Sequence, residues 1–288
     1  YLKMFDVSLS NKSYEMHSVP SSVLHQCDEA LYPYNPTWKR VGVNVSGGAD
    51  SAVGTAILAD LILKHGNNTE IVFLTNVRVW NNRPWAAPIS IEVYEKLQSM
   101  FPLVKMTRVQ NFIPPEIEDG SIGVIEQIGT TGDRICTQSF NRYAVHSYKL
   151  EAVYNFITNN SDDFDHRSAP WDRTWTPEKL ADTNICPQYI DNTPALVHPW
   201  KLITKDFIMG QYIRRGWMDL LNTTRSCEGD INLWPDNPEW VDYTEYDHGV
   251  TELPLCSNTD PDPQRGCYWC AERDWAMTKA REIIDATG

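Results

Sequence analysis

The sequence predicts an α/β protein built on a parallel sheet, and three observations predict it. A buried apolar run, VGVNV (Val41 to Val45), breaks into SGGADS and resumes at once as an apolar-periodic segment, Ala52 to Lys64. A second apolar run, EIVFLTN (Glu70 to Asn76), follows, so strand, helix and strand succeed one another as a βαβ unit. A third, LVKMTRV, comes after the helical pattern Ile89 to Met100 and extends the sheet by one more crossover.

The remaining elements fall in order around that frame. Residues 1–40 are polar and turn-rich, end in LYPYNPTWKR, and read as an N-terminal extension wrapping the domain's edge. Residues 41–220 form the main α/β domain, with Ser139 to Ile157 read as a further helix. Within it, residues 159–199 are rich in Pro, Asp and Trp and read as an irregular insert, a lid or a mobile segment. Thr204 to Trp217 resumes as an amphipathic helix. Residues 221–288 carry a cysteine-rich region closed by a terminal helix, Ala271 to Ala286. No internal repeat or low-complexity tract interrupts the pattern.

Composition narrows the function classes. Of 288 residues, 42% are hydrophobic, 22% charged and 11% aromatic, which is ordinary for a globular protein with a substantial core. No apolar run reaches the roughly 18 residues of a membrane span, and the opening YLKMFDVSLSNKSYEMHS lacks the basic-then-apolar layout of a signal peptide; a cytoplasmic protein without membrane partners is expected. A net charge of −13 disfavours tight nucleic-acid binding, because that affinity rests on Lys and Arg neutralising phosphates. Of seven cysteines, Cys227, Cys256, Cys267 and Cys270 fall in the last quarter, and such a cluster in a chain without a secretory signal suggests metal rather than disulfides.

The loop Ser46, Gly47, Gly48, Ala49, Asp50, Ser51 carries the first chemistry. Two adjacent glycines let the backbone turn tightly and leave its N–H groups open to an approaching group. The following helix N-terminus favours an anion. A Walker A loop would need a Lys beside its Ser or Thr, and none stands there. The loop instead offers backbone donors, the hydroxyls of Ser46 and Ser51 and the carboxylate of Asp50, a set suited to holding pyrophosphate while Asp50 positions Mg²⁺. Cleavage of ATP between its α- and β-phosphates follows as the expectation. The competing reading, a tight Gly-Gly turn, does not require the hydroxyl and carboxylate set.

SGGADS between VGVNV and a helix resembles the PP-loop of the N-type ATP pyrophosphatases, which adenylate a substrate and release pyrophosphate. The resemblance implies a Rossmann-like parallel sheet of the adenine-nucleotide alpha-hydrolase type with a small C-terminal zinc-binding subdomain. Downstream, Pro199, Lys205-Asp206-Phe207, Thr224-Arg225-Ser226-Cys227 and Cys267-Tyr-Trp-Cys270-Ala-Glu-Arg273 resemble, in order and spacing, the 7-cyano-7-deazaguanine synthase family of the queuosine pathway. That family would adenylate 7-carboxy-7-deazaguanine and use ammonia to make an amide and then a nitrile. The chain departs from it at Gln264, where the family's compact cysteine run would begin, and across residues 77–198, where the match is faint.

The same resemblance makes Lys205 and Arg273 stabilisers of charge on the α-phosphate, acting with Asp50 as the catalytic set; an exposed helix-surface charge is the competing reading for each. Arg134 and Phe140, in TTGDRICTQSFNR, are substrate-binding candidates, with a solvated loop arginine the alternative for Arg134. Cys227, Cys256, Cys267 and Cys270 would hold one structural zinc, with His248 or Asp247 able to replace Cys256. Cys136 reads as a small buried hydrophobe before it reads as a sulfur carrier. The DDFDHR run, residues 162–167, reads as solvated rather than metal-binding.

The leading expectation is thus an enzyme, a C–N ligase using ATP, Mg²⁺ and Zn²⁺ on a carboxylated purine analogue and ammonia, with a homodimer left open. A PP-loop tRNA thiolase would need a basic face beside Cys136. A variant joining the activated purine to another amine keeps the chemistry and changes the acceptor. A nucleotide-binding module without turnover would have no use for Asp50.

Overall fold

The computed structural model describes residues 34–78, 86–113, 140–141, 143–165, 188–190, 193–200, 203–226 and 268–287. Strand β1 (Arg40–Asn44) leads into helix α1 (Ala49–Lys64), then β2 (Glu70–Arg78), α2 (Ala86–Met100) and β3 (Met106–Ile113). Residues 140–141 and 143–148 are helical and precede β4 (Ala152–Tyr154). β5 (Gln188–Ile190), β6 (Thr193–Val197), α3 (Lys205–Arg214), α4 (Met218–Thr223) and α5 (Tyr268–Thr287) complete the described elements.

The strands form one six-stranded sheet in the order β3-β2-β1-β4-β6-β5. Every neighbouring pair is parallel except β5 with β6, which adds an antiparallel edge. The chain winds outward from β1 to β3 and then returns to β4 on the other side of β1, so the order reverses between β1 and β4. In open α/β sheets the crevice at the carboxyl ends of such a pair is where ligands bind.

Strand alternation divides the packing between two faces. Val41, Val43, Ile71, Phe73 and Tyr154 point to the face covered by α1, where they join Phe207, Tyr212 and Leu220 from α3 and α4 and Ala276 and Ala280 from α5 in the larger core. Val72, Leu74 and Val153 point the other way and form a smaller cluster with Phe140, Ala144, Val145 and Leu150. Helix α1 is buried along most of its length from Ala49 to Ile62. One residue decides how near it lies: a Cβ on Gly54 would stand 2.5 Å from the Phe156 ring, so only glycine lets the helix settle there.

The elements expected from the sequence are present with shifted bounds, and two regions differ in kind. The segment read as a single helix from Ser139 to Ile157 ends by residue 148, and Ala152–Tyr154 is a central strand. Lys149 takes a left-handed φ of 57°, which stops the helix, and the short apolar run after it satisfies strand and helix patterns equally. The insert 159–199 contributes β5 and β6, while its residues 166–187 lie outside the described set. Of the N-terminal extension, only the stretch from Tyr34 is described. Among the described residues no helix is long and apolar enough to cross a membrane.

The amino edge of the sheet is closed by one polar network. Glu70 is buried at the start of β2 and accepts from Arg40 Nε at 2.8 Å, Lys105 Nζ at 3.0 Å and Thr107 Oγ1 at 2.6 Å. Burial pushes its carboxyl up, but the Thr107, Arg40 and Lys105 bonds outweigh that and hold the pKa at about 2. Arg40 also donates from Nη1 to the Tyr148 carbonyl at 3.1 Å, tying the helical segment to the same edge.

Candidate active site

At the opposite edge, β1 runs into SGGADS. Gly47 adopts a φ of +79°, and a Cβ there would meet Ile89 Cγ2 at 2.9 Å and the Ser90 nitrogen at 3.3 Å. Both the conformation and the contact with α2 require glycine. Ser51 Oγ donates to the Gly48 carbonyl at 3.2 Å and accepts from Ser46 N–H at 3.4 Å, which folds the loop back over the start of α1. Gly48 is the N-cap of α1 and supplies no side-chain cap, so the helix's first N–H groups carry no side-chain acceptor. An uncapped N-terminus beneath a glycine loop suits an anion by geometry and dipole together.

Lys205, the first residue of α3, meets the loop from the far side of the sequence. Its Nζ lies 2.7 Å from Asp50 Oδ1 and 2.8 Å from Oδ2, and its side chain is only 6% exposed against 19% for Asp50. The competing reading of an exposed helix-surface charge does not hold for Lys205, which forms a buried ion pair. Only the contact to Oδ2 is aligned as a hydrogen bond, so Oδ1, buried, keeps accepting capacity. That spare lone pair fits a divalent cation beside the loop. Beneath the pair, Tyr212 donates to the Ala49 carbonyl at 2.6 Å. Burial first, and then the nearby Asp50 charge, push the Tyr212 hydroxyl well above its ordinary pKa, so it remains a donor.

The turn after α4 completes the loop's support. Arg225 N–H donates to the Gly47 carbonyl at 3.0 Å. Arg273, from α5, donates through Nη1 to the Thr224 carbonyl and through Nη2 to the Leu221 carbonyl, each at 3.3 Å. The guanidinium therefore grips the turn that touches Gly47.

Buried polar atoms without a hydrogen-bond partner among the described residues gather here. They include Asn44 Nδ2 and Oδ1 at the end of β1, Thr75 Oγ1 on β2 one residue past Asn44's partner Leu74, and Ser226 Oγ beside Arg225. Buried polar groups are nearly always paired, so such a set at one edge marks a place where a polar ligand is accommodated.

Sequence reasoning named Ser46, Gly47, Gly48, Ala49, Asp50, Ser51, Lys205 and Arg273, and the fold brings the loop, Lys205 and the turn held by Arg273 together. Phe140 lies in the smaller core on the face away from α1. Arg134, Cys136, Cys227, Cys256, Cys267, His248 and Asp247 lie outside the described residues. Cys270 stands in the first turn of α5 and is half-buried. Among the described residues no group of three or more His, Cys, Asp or Glu could hold a metal. Tyr212, Thr75 and Asn44 were missed, and Arg225 and Ser226 were read only as part of the Thr224-to-Cys227 motif, with no role assigned. The readable signals were a polar residue inside each of two buried strands, VGVNV and EIVFLTN, and the Thr-Arg-Ser turn.

No protein-family profile and no curated sequence matches the chain. Among solved structures, NMN synthetase from Francisella tularensis is similar at 13% identity and a TM-score of 0.42, covering 90% of this chain and 94% of that one. The U34-tRNA thiolase NcsA from Methanococcus maripaludis is similar at 11% identity and 0.38, over 85% of this chain and 72% of that one. The glutamine-dependent NAD⁺ synthetase from Acinetobacter baumannii gives 14% and 0.38, over 66% of this chain and 31% of that one.

Proposed function

We propose that this chain is an ATP-dependent synthetase of the PP-loop class that adenylates a small carboxylate, 7-carboxy-7-deazaguanine, and passes the acyl group to ammonia. The observation that carries the reading is the uncapped N-terminus of α1 under the Gly47-Gly48 loop, with the Asp50–Lys205 pair at its lip. Backbone N–H groups of the loop hold the β- and γ-phosphates, which leave together as pyrophosphate. A carboxylate oxygen of the substrate attacks the α-phosphorus, the bond to the bridging oxygen breaks, and an acyl-adenylate results. Ammonia then displaces AMP to give the amide; a second activation and loss of the amide oxygen give the nitrile.

Lys205 balances Asp50 in the resting site, and its short reach to the loop lets it neutralise charge gathering on the α-phosphate. Magnesium would be held by Asp50 and phosphate oxygens and would supply charge neutralisation on the leaving pyrophosphate. Zinc would be held by Cys227, Cys267 and Cys270 with Cys256, His248 or Asp247 as fourth ligand, and would close the region leading into α5. The charge of −13 is the ground for proposing weak tRNA binding at physiological salt.

The test is pyrophosphate release from ATP with 7-carboxy-7-deazaguanine and other carboxylates, followed by product mass. AMP and pyrophosphate are expected, with an amide or nitrile product. ADP and phosphate would overturn the cleavage assignment, and tight, salt-sensitive retention of tRNA would move the reading to a thiolase.

A further inference from the structure

One ammonium addresses both oxygens of the carboxylate on which a divalent cation would depend. Lys205 Nζ lies 2.7 Å from Asp50 Oδ1 and 2.8 Å from Oδ2. Oδ1 itself is buried, although the Asp50 side chain as a whole keeps some contact with solvent. A cation that takes Oδ1 must therefore enter against Lys205, which is buried and anchored as the first residue of α3.

Charge opposes that entry. Asp50 and Lys205 cancel, which leaves the positive end of α1 as the field at the loop. Arg225 is buried in the turn bonded to Gly47, and Arg273 grips the same turn from α5, so the side-chain charges on that turn and behind it are basic. The buried carboxylates Asp206 and Glu272 accept from Thr204 and Tyr268. A divalent cation bonded to Oδ1 at an ordinary oxygen distance of about 2.1 Å would stand within about 5 Å of the Lys205 ammonium. Its attraction to the one carboxylate is offset by that repulsion and by the loss of its own hydration, which Mg²⁺ gives up reluctantly. A polyphosphate reverses the balance, because its oxygens can face the ammonium and the cation together.

We propose that Lys205 gates Asp50. While the ammonium faces both oxygens the carboxylate takes no divalent cation, and a phosphate group that draws the ammonium away opens it. Metal therefore accompanies or follows the polyphosphate into the site and does not precede it. The flexible four-carbon stem of lysine permits the exchange, since Nζ can swing while the backbone stays on α3. Asp50 stands in the first turn of α1, beside the loop's backbone donors, so a phosphate held by them comes within reach of the same ammonium. This inference deepens the proposed function by giving its phosphate site an order of entry. It rests on the phosphate reading of the loop and not on which carboxylate is activated.

The experiment adds Mn²⁺, a paramagnetic probe, to the full chain in wild type, Lys205→Met and the double variant Asp50→Asn with Lys205→Met. Bound metal is read by electron paramagnetic resonance without pyrophosphate, and thermal melting is followed with and without it. Wild type should bind Mn²⁺ alone at least about tenfold more weakly than Lys205→Met. Mn²⁺ alone should raise the melting temperature of Lys205→Met by roughly 2–4 °C, because it returns a partner to Asp50, and should leave wild type and the double variant within about 1 °C. With pyrophosphate present, Mn²⁺ should raise the wild-type melting temperature as well. A lysine that only supports the fold would lower the melt equally with and without metal, so the rescue separates gating from support. Tight one-to-one binding of Mn²⁺ to wild type without pyrophosphate overturns the gate, and that measurement needs no variant to fold. An equal response of Lys205→Met and the double variant overturns it too, since the metal then sits elsewhere. If Mn²⁺ rescues Lys205→Met but pyrophosphate with Mn²⁺ leaves wild type unmoved, the phosphate reading of the loop falls and the exclusion of metal by Lys205 stands.

Discussion

The two ends of one sheet handle buried polarity in opposite ways. At the amino edge, Glu70 is surrounded by Arg40, Lys105 and Thr107 and reaches a fully bonded state. At the carboxyl edge, Asn44, Thr75 and Ser226 hold buried polar atoms with no partner among the described residues, and Asp50 Oδ1 is only partly used. Both edges are built from the same strands, so backbone geometry does not explain the difference. A satisfied edge stabilises the fold as it stands; an unsatisfied one stores demand that a ligand can meet. Activity and stability should therefore separate along the strand axis.

The largest expected effect lies at the loop. Asp50→Asn removes the carboxylate that would face the phosphates in the proposed reaction, and turnover should fall by about a thousandfold or more. It also leaves the buried Lys205 ammonium facing a neutral amide, so stability should drop by about 2 kcal/mol. Lys205→Met alone strands the Asp50 charge in the same way. The double variant should be more stable than the sum of the two losses, because neither charge is then left alone. Strict additivity in urea melts would show that the pair is not coupled.

Next comes the closed edge. Glu70→Gln should cost about 2 kcal/mol at neutral pH: a fall from 4.5 to about 2 sets a ceiling near 3 kcal/mol by linkage, reduced because Lys105 is 67% exposed and screened. The folded pKa lies below the unfolded one, so this stability is present above pH 4.5 and disappears as pH falls toward 2. The gap between wild type and Glu70→Gln should close over that window, with catalysis at neutral pH unaffected. A gap that persists at pH 2 would mean that the loss comes from packing and not from charge.

Thr75→Val should have the opposite sign. It is isosteric, and it removes a fully buried hydroxyl that has no partner among the described residues. Stability should rise by about 1 kcal/mol. A loss of stability of that size would mean that the Thr75 hydroxyl is already satisfied and that the contrast between the edges is weaker than drawn.

The contrast also bears on what a sequence discloses. The loop was legible because its chemistry is contiguous: six neighbouring residues set the turn, the donors and the carboxylate. The strands β1 to β3 were legible because apolar runs of that length alternate with helical patterns. The β4 strand was not, since Ala152–Tyr154 is too short to outvote the helix before it, and a left-handed Lys149 is not written in any periodicity. Lys205 was named by resemblance, but its burial against Asp50 depends on a contact across 155 positions. Tyr212 acts through a single bond to a loop carbonyl, and no spacing in the sequence announces it.

The smallest effect expected concerns Arg273, and it decides which side of the comparison that residue belongs to. Its guanidinium spans two carbonyls, Thr224 and Leu221, at 3.3 Å each. The Leu221 carbonyl already accepts the Thr224 N–H at 3.0 Å and its hydroxyl at 2.7 Å, so the added bond there contributes little. What the fork adds is orientation of the turn whose Arg225 N–H meets Gly47. Lysine keeps the charge but has no planar fork to span both carbonyls. Arg273→Lys should therefore cost about 0.5–1 kcal/mol, read as a two- to fivefold rise in KM for ATP with kcat nearly unchanged, and Arg273→Ala should extend the same trend. If the guanidinium instead touches the α-phosphate in the transition state, Arg273→Ala should lower kcat about a hundredfold with little change in KM. Steady-state kinetics on the two variants separate these outcomes: the first makes Arg273 a fixture of the fold that shapes the loop from behind, and the second makes it part of the open edge.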